Sequence, residues 1–202
     1  MQKIGLTGGI ATGKSYVADA LRRNGIPILD ADAMAHGVMA GGTEASAAIA
    51  ARFGGEILCP DGSVDRAKLG PIVFADSGAR RDLEAIVHPA VRRATAAGLR
   101  AFELLGHDTV VIAVPLLFET GHTDDYDRIV VTACAPERQI ERLVARGLTD
   151  AAARQRMAAQ LPTEEKSARA DFVVNTDGSF EETDRQVAVL LDAIKTGRWT
   201  LG

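Results

Sequence analysis

A glycine-rich stretch near the start of the chain, LTGGIATGKS at residues 6–15, combines residue types that can bind phosphate. Gly8, Gly13, Lys14 and Ser15 fit the pattern G-x-x-x-x-G-K-[ST] in every specified position. Glycines permit a tight turn whose N–H groups converge on phosphate oxygens, the lysine supplies positive charge, and the serine hydroxyl can coordinate Mg²⁺. These residues predict a nucleoside triphosphate site, but they do not identify the acceptor of the phosphate.

Two carboxylates, Asp30 and Asp32, stand at the end of an apolar run in ILDADA. Residues two apart share one face of a strand, and ligands bind at the carboxyl ends of parallel strands. One carboxylate could accept a proton from an attacking hydroxyl, and one could help to hold a metal ion. We favour such a function for Asp32 over a role as a solvated turn residue, whereas for Asp30 capping of the next helix is an equally good interpretation.

An arginine-rich segment follows the fourth apolar run. Arg138, Arg142 and Arg146 recur every fourth residue and form a ridge of like charge on one predicted helix, beside Glu137 and Glu141. The ridge is explained either by a surface helix with local ion pairs or by a kinase lid that closes on ATP and excludes water. We favour the lid because arginines are dense throughout this short stretch.

Five short apolar runs rich in Val and Ile could position these residues. Nearly continuous apolar runs are typical of parallel strands that are covered on both faces. Helical patterns alternate with the runs, so we predict an α/β fold. The runs are KIGLTG, IPILDAD, TVVIAVPLL, RIVVTAC and DFVVNT, beginning at residues 3, 26, 109, 128 and 171.

Residues 33–108 contain no strong strand signal, and we interpret them as a mostly helical insertion. Four helical patterns are predicted there, at residues 44–54, 65–75, 79–87 and 88–106, the last beginning at His88-Pro89. Between the first two, EILCPDGSV is predicted to form a small hairpin, because Pro-Asp-Gly is favourable turn chemistry.

Composition argues against several classes of protein. A net charge of −4 and an aromatic content of 4% disfavour a nucleic-acid-binding surface. Cys59 and Cys134 are far apart in sequence, which disfavours a disulfide framework or a zinc site. No apolar run approaches the ~20 residues of a membrane span, and the first residues do not resemble a signal peptide. We therefore expect a cytoplasmic protein with no nucleic-acid or membrane partner, either a monomer or a weak homo-oligomer.

Together, LTGGIATGKS, ILDAD followed by His36, IVHPAV, VPLLFE and RADFVVNTDGS resemble dephospho-coenzyme A kinase in order and spacing along nearly the whole chain. The resemblance implies a P-loop NTPase-type three-layer α/β fold with a five-stranded parallel sheet. It implies a single kinase domain with a core at 1–32, 109–135 and 171–202, a coenzyme A-binding insertion at 33–108 and a lid at 136–170. The implied reaction is ATP-dependent phosphorylation of the ribose 3′-hydroxyl of dephospho-coenzyme A.

The resemblance also implies roles for individual residues. Asp32 would be the general base, and Lys14 and Arg142 would complete the catalytic set. The implied metal ligands are Ser15 and Asp32, for Mg²⁺. The acceptor would contact Asp32, His88, Pro89, Leu116 and Glu119. ATP would contact Gly9, Ile10, Ala11, Thr12, Gly13, Lys14, Ser15, Tyr16, Arg142 and Asn175.

The chain departs from the common family pattern at two places. Family members often have Gly-Ser or Gly-Ala where this chain has Ala11-Thr12. The P-loop pattern leaves both positions open, and we expect both backbone N–H groups to stay available. Gly147 stands where many members have Asp after the lid arginine.

Two other functions fit the P-loop alone. One is another nucleoside or nucleotide kinase, whose acceptor pocket would differ within residues 33–108. The other is a regulator that binds ATP or GTP without transferring phosphate to a metabolite. The third apolar run lacks the acidic end residue of many P-loop ATPases, and the Asn-Lys-x-Asp motif of GTPases is missing.

Overall fold

The structure, a computed structural model, describes residues 1–199 and contains a five-stranded sheet in the order β2-β3-β1-β4-β5. β1 pairs in parallel with β3 and β4, and β4 pairs in parallel with β5. All five predicted strands are confirmed. Their bounds are β1 Gln2–Gly8, β2 Ile28–Asp30, β3 Thr109–Ala113, β4 Arg128–Ala133 and β5 Phe172–Asn175.

Helices connect the strands, as the alternating pattern predicted, except between β3 and β4, where residues 114–127 contain only a short 3₁₀ turn. The helices of the sheet-containing part are α1 Lys14–Arg23, α6 Pro136–Ala145, α7 Asp150–Ala158, α8 Thr163–Ser167 and α9 Phe180–Thr196. Those that follow β2 are α2 Ala31–Val38, α3 Glu44–Phe53, α4 Arg66–Ala75 and α5 Ser77–Leu104. Short 3₁₀ turns occur at Gly55–Ile57 and Thr123–Asp125.

Capping residues in the sequence mark the ends of several helices. Ser179 and Glu182 form the predicted capping box at the start of α9. Pro136 opens α6, where its missing N–H removes no helical hydrogen bond. Gly147 has a φ of +92° just beyond the end of α6, a conformation that glycine adopts without steric cost.

The chain divides into two compact units. The first consists of Met1–Leu29 and the chain from Phe102 onward, and the second of Asp30–Ala101. In the first unit Ile4 and Leu6 of β1 pack with Val17 of α1 and Leu190 of α9 in a buried core. In the second unit the core is smaller, and it is formed by Ile49, Ile57, Val64 and Leu69.

One prediction for the second unit is wrong in detail. The two helical patterns at 79–87 and 88–106 form a single helix, α5, which runs without interruption from Ser77 to Leu104. A proline inside a helix loses its own N–H bond and its ring crowds the carbonyl four residues earlier, but the remaining hydrogen bonds of a long helix can outweigh that cost. The predicted small hairpin at 56–64 is confirmed: Leu58 and Val64 form an antiparallel bridge, and the Cys59 N–H donates to Ser63 O at 2.8 Å.

Among residues 1–199, no helix is both long enough and apolar enough to span a membrane. Cys59 and Cys134 are both free thiols.

Candidate phosphate-binding site

The glycine-rich segment joins β1 to α1. β1 ends at Gly8 and α1 begins at Lys14, so the loop contains residues 9–13. Gly13 is the N-cap of α1 and has a φ of +86°. Ala11 also lies in the left-handed region, at +61°, as the only non-glycine residue within 1–199 to do so. This conformation costs an L-residue about 1–2 kcal/mol. The P-loop pattern accepts any residue at position 11, but the backbone conformation there favours glycine.

Unpaired donors collect at the start of α1. The N–H groups of Ala11, Gly13, Lys14 and Ser15 form no hydrogen bond within the described part of the chain. Lys14 Nζ likewise has neither an acceptor nor an acidic partner there, and Ser15 is exposed. The first N–H groups of a helix and its dipole together attract anions. This arrangement can hold the phosphates of a nucleotide.

Two other amides of the loop are already used. The Ile10 N–H donates to Gln160 Oε1 at 2.8 Å, and the Thr12 N–H donates to Gly9 O at 3.2 Å. The expectation that the Thr12 amide stays available is therefore wrong. The loop bends back on itself at this point, and that bend satisfies the Thr12 amide internally.

Buried threonine hydroxyls support the loop from below. Thr12 Oγ1 lies 2.8 Å from Thr132 Oγ1 on β4, and Thr176 Oγ1 donates to Thr12 O at 2.9 Å. Gly8 approaches them so closely that an added Cβ would overlap both Thr132 and Thr12. Sequence reasoning missed Thr132 and Thr176. Their only signal is the position of a threonine at or just after the end of an apolar strand.

Arg142 joins the loop to the segment after β5. Its Nη1 donates to Ala11 O at 3.1 Å and to Thr176 Oγ1 at 3.1 Å, and its Nη2 donates to Thr176 O. Burial raises the pKa of the neighbouring Cys134 thiol, and the positive charge of Arg142 opposes that rise. The predicted contact of Arg142 with phosphate stays a prediction. Its guanidinium group lies at the glycine loop.

Local ion pairs explain Arg138 of the predicted arginine ridge and the nearby Arg154, whereas Arg146 forms no ion pair among the described residues. Arg138 Nη1 lies 2.9 Å from Glu141 Oε2, and Arg154 forms an ion pair with Asp150. The alternative of a surface helix with ion pairs therefore accounts for Arg138, while Arg142 on the same helix contacts the glycine loop.

The predicted ATP contacts Tyr16 and Asn175 have partners within the protein. The Tyr16 hydroxyl donates to Asp184 at 2.9 Å, a hydrogen bond that raises the pKa of Tyr16. Asn175 Oδ1 accepts from the Asp177 N–H at 2.8 Å, and the Asn175 backbone pairs with the Gln186 side chain. Their roles toward ATP stay predictions.

Two predicted acceptor contacts follow β3. Leu116 is partly exposed, whereas the carboxylate of Glu119 is turned toward the protein. Glu119 Oε1 accepts from the Leu161 N–H at 3.0 Å and lies beside Lys166. Glu119 therefore has a structural role, and its proposed contact with substrate is untested.

In the second unit the strand-based argument for Asp32 is wrong. β2 ends at Asp30, and Asp32 lies in the first turn of α2 rather than on a strand face. Asp30 Oδ1 caps this helix by accepting from the N–H groups of Asp32 at 2.9 Å and Ala33 at 3.0 Å. The Asp32 carboxylate is exposed and has no hydrogen-bond partner among the described residues.

The histidines of the second unit are accessible. His36 Nδ1 lies 3.0 Å from Arg66 Nη1. His88 and Pro89 are exposed on α5, and the structure leaves their predicted contact with the acceptor untested.

Residues 1–199 contain no group of three or more His, Cys, Asp or Glu side chains that could hold a metal ion. A dedicated all-protein metal site is therefore not found in this range. Mg²⁺ commonly binds through one or two protein oxygens together with substrate phosphates and water, a mode that suits the exposed Ser15 hydroxyl.

Comparisons with known proteins point to one family. The family model described as "Dephospho-CoA kinase" matches residues 2–182. The dephospho-CoA kinase of Anaeromyxobacter dehalogenans is 49% identical over 199 residues, which is 98% of this chain and 94% of the relative. A crystal structure of a protein from Thermus thermophilus superimposes with a TM-score of 0.81 at 35% identity, covering 96% of this chain and 97% of its own. The dephospho-CoA kinase from Campylobacter jejuni gives a TM-score of 0.74 at 25% identity, covering 98% of this chain and 99% of its own.

Proposed function

Because the chain belongs to the dephospho-CoA kinase family, we propose that it transfers the γ-phosphoryl group of ATP to the ribose 3′-hydroxyl of dephospho-CoA. The products are CoA and ADP, and the reaction is the final step of CoA biosynthesis. The observation that carries the proposal is the set of unpaired donors at the start of α1, in a chain of this family.

The glycine loop would bind the phosphates of ATP. Charge spreads over the phosphoryl oxygens during transfer, so catalysis depends on positioned donors and cations. The amides of Gly13, Lys14 and Ser15 and the Lys14 ammonium supply such donors. The Ser15 hydroxyl would ligate the Mg²⁺ of MgATP, which neutralises phosphate charge, and we propose Asp32 as a second ligand. We also assign ATP contacts to Gly9, Ala11, Tyr16, Arg142 and Asn175, and to Ile10 and Thr12 through atoms other than their paired amides.

Asp32 would be the general base that accepts the proton of the 3′-hydroxyl. The Asp32 carboxylate is exposed and has no partner among the described residues, so one of its oxygens can accept the proton while the other ligates Mg²⁺. His88, Pro89, Leu116 and Glu119 would contact the acceptor, an assignment that rests on the family resemblance.

The same resemblance underlies the proposed organisation. Residues 1–32, 109–135 and 171–202 would form the kinase core, 33–108 the acceptor-binding insertion and 136–170 the lid. We further propose a cytoplasmic location, as expected from the sequence.

An acceptor assay tests the proposed reaction. The protein is incubated with MgATP and dephospho-CoA, adenosine, AMP or no acceptor, and release of ADP is followed. We expect strong stimulation by dephospho-CoA alone. Stimulation by adenosine or AMP would indicate another nucleoside or nucleotide kinase. Slow ADP release that no acceptor changes would contradict the proposal and would favour a nucleotide-binding regulator.

A further inference from the structure

Two glutamine side chains hold the backbone of Ile10 in the glycine loop. Gln139 Nε2 donates to Ile10 O at 2.6 Å, and Gln160 Oε1 accepts from the Ile10 N–H at 2.8 Å. The donor and the acceptor of Ile10 are therefore both satisfied by side chains, as a neighbouring strand would satisfy them. The contacts join residues 129 and 150 positions apart in the chain.

The two glutamines come from the segment that was predicted to be the lid. Gln139 lies on α6 and is 4% exposed, and Gln160 follows the end of α7. Next to Ile10, the Ala11 methyl group packs against Leu143 of α6 and Ala153 of α7. The loop is thus held along two successive residues by the same pair of helices.

Gly9 shows how closely this segment approaches the loop. A Cβ added at Gly9 would lie 2.7 Å from Gln139 Nε2 and 2.5 Å from Thr163 Oγ1, which is too close for van der Waals contact. The P-loop pattern leaves position 9 open. A side chain at position 9 would force the ends of the Thr163 and Gln139 side chains to shift, which would displace Gln139 from Ile10.

We propose that Gln139 and Gln160 are positioning residues for phosphoryl transfer, acting on the phosphate-binding amides through Ile10. Their hydrogen bonds turn the Ile10 amide away from the phosphate site, directly before Ala11 takes up its left-handed conformation. The turn that starts at Ile10 sets the direction of the free N–H groups from Ala11 to Ser15. A displacement of about 1 Å in a positioned group can cost about 100-fold in rate. The inference rests on the proposed kinase function.

The two glutamines differ in what they contribute. Gln160 needs only an acceptor, so Gln160→Glu keeps the contact with the Ile10 N–H. Gln139 needs a donor, so Gln139→Glu brings a carboxylate oxygen against the Ile10 carbonyl. Both changes add one negative charge near the loop. Because Gln139 is buried and Gln160 is partly exposed, a charge costs more at position 139, so each Glu variant is compared with the Met variant at its own position. Methionine at either position keeps a similar shape and removes the hydrogen bond.

The experiment compares Gln139→Met, Gln139→Glu, Gln160→Met and Gln160→Glu with the wild-type protein. Gln155→Met, which changes an exposed glutamine on α7, is the matched control. The measurements are kcat and KM for both substrates, the affinity for MgADP by calorimetry, and amide hydrogen exchange of Ile10 by NMR. Circular dichroism verifies folding.

We expect both Met variants to lose about 10-fold in kcat/KM for ATP, the size of one hydrogen bond, with an unchanged KM for dephospho-CoA. Gln139→Glu should fall at least as far as Gln139→Met, whereas Gln160→Glu should retain more activity than Gln160→Met. The Ile10 amide should exchange faster in Gln160→Met and should stay protected in Gln160→Glu. Gln155→Met should match the wild type.

Wild-type kinetics for ATP in both Met variants would overturn the inference, and so would a Gln160→Glu protein that is no more active than Gln160→Met. If the buried Gln139 variants do not fold, the two variants at the partly exposed Gln160 test the inference alone. Gln160→Glu should still be more active than Gln160→Met, and this order does not depend on Gln139. Failure of the wild-type protein to phosphorylate dephospho-CoA would contradict the proposed function instead. The exchange and MgADP measurements would then still test the role of the glutamines.

Discussion

Lys166 Nζ lies 2.7 Å from Glu119 Oε1, and the Lys166 side chain has no exposure to solvent. Lys166 is on α8, while Glu119 belongs to the segment after β3 and also accepts from the Leu161 N–H. Removing an ammonium group from water is costly unless an opposite charge compensates it. The ion pair therefore ties residues 161–166 to the end of the central sheet.

Loss of Glu119 should be more damaging than loss of Lys166. Glu119→Gln leaves a buried cation without an opposite charge, and we expect a loss of about 3–5 kcal/mol in unfolding free energy. Lys166→Met replaces the cation with an apolar chain, and Glu119, which is 21% exposed, can then be hydrated. Urea unfolding followed by circular dichroism measures both variants. A Lys166→Met protein that is the less stable of the two would contradict this interpretation.

The same pair should make stability depend on pH in the acid range. Burial would raise the pKa of Glu119, but the close Lys166 ammonium group and backbone amides outweigh it and hold the pKa below its ordinary value. A depressed pKa stabilises the fold above the pKa of the unfolded chain, and this contribution disappears as pH falls through the folded value. We expect the wild-type unfolding free energy to fall more steeply below about pH 4.5 than that of Glu119→Gln. Equal slopes for the two proteins would exclude the pair as the cause.

Arg142→Lys tests whether the shape of the guanidinium group matters at the glycine loop. Lysine keeps the charge, but it cannot contact Ala11 O, Thr176 Oγ1 and Thr176 O through a planar fork. We expect kcat/KM for ATP to fall roughly 10–100-fold, since two or more hydrogen bonds are lost. Arg138→Lys is the matched control, because its ion pair with Glu141 is on the surface. Equal kinetics for the two variants would show that charge alone suffices.

Ala11→Gly should change stability little, because three effects nearly cancel. Glycine relieves about 1–2 kcal/mol of left-handed strain. Two effects lower stability by a similar amount. The greater conformational freedom of glycine in the unfolded chain costs about 0.5–1 kcal/mol, and loss of the buried methyl group costs about 0.8 kcal/mol. Ala11→Val should instead lower the melting temperature, since a β-branched residue fits poorly at a φ of +61°. Thermal unfolding gives the melting temperature of both variants. An Ala11→Val protein that melts at the wild-type temperature would contradict the interpretation that the backbone is strained at residue 11.

Asp32→Asn should lower kcat by at least about 100-fold with little change in ATP affinity, because a general base typically contributes 10²–10⁴-fold. Asp30→Asn is a matched change two residues away, and asparagine retains the cap of α2. We expect a much smaller loss in that variant. Initial rates and MgATP binding decide the result, and a near-normal rate for Asp32→Asn would remove this residue as the base.

Sequence reasoning succeeded where the signal is local. The five strands and the P-loop follow from apolar runs and from spacing within ten residues. It failed for Asp32 because a helix that begins at Ala31 interrupts the strand pattern, and propensity does not decide such a boundary. The contact of Gln139 with Ile10 could not be foreseen, since it joins residues 129 positions apart and carries no motif. The two helical patterns at 79–87 and 88–106 are one helix because α5 continues through Pro89, and the hydrogen bonds of so long a helix are not visible in short windows of sequence.

The buried hydroxyls of Thr12, Thr132 and Thr176 have a further consequence for ligand binding. They are satisfied by one another and by backbone oxygens, so the protein alone maintains the curvature of the loop. A preorganised loop loses little conformational entropy when a ligand arrives. The affinity of this chain for nucleotide should therefore reflect its direct contacts with the phosphates, because little free energy is needed to order the backbone of the glycine loop.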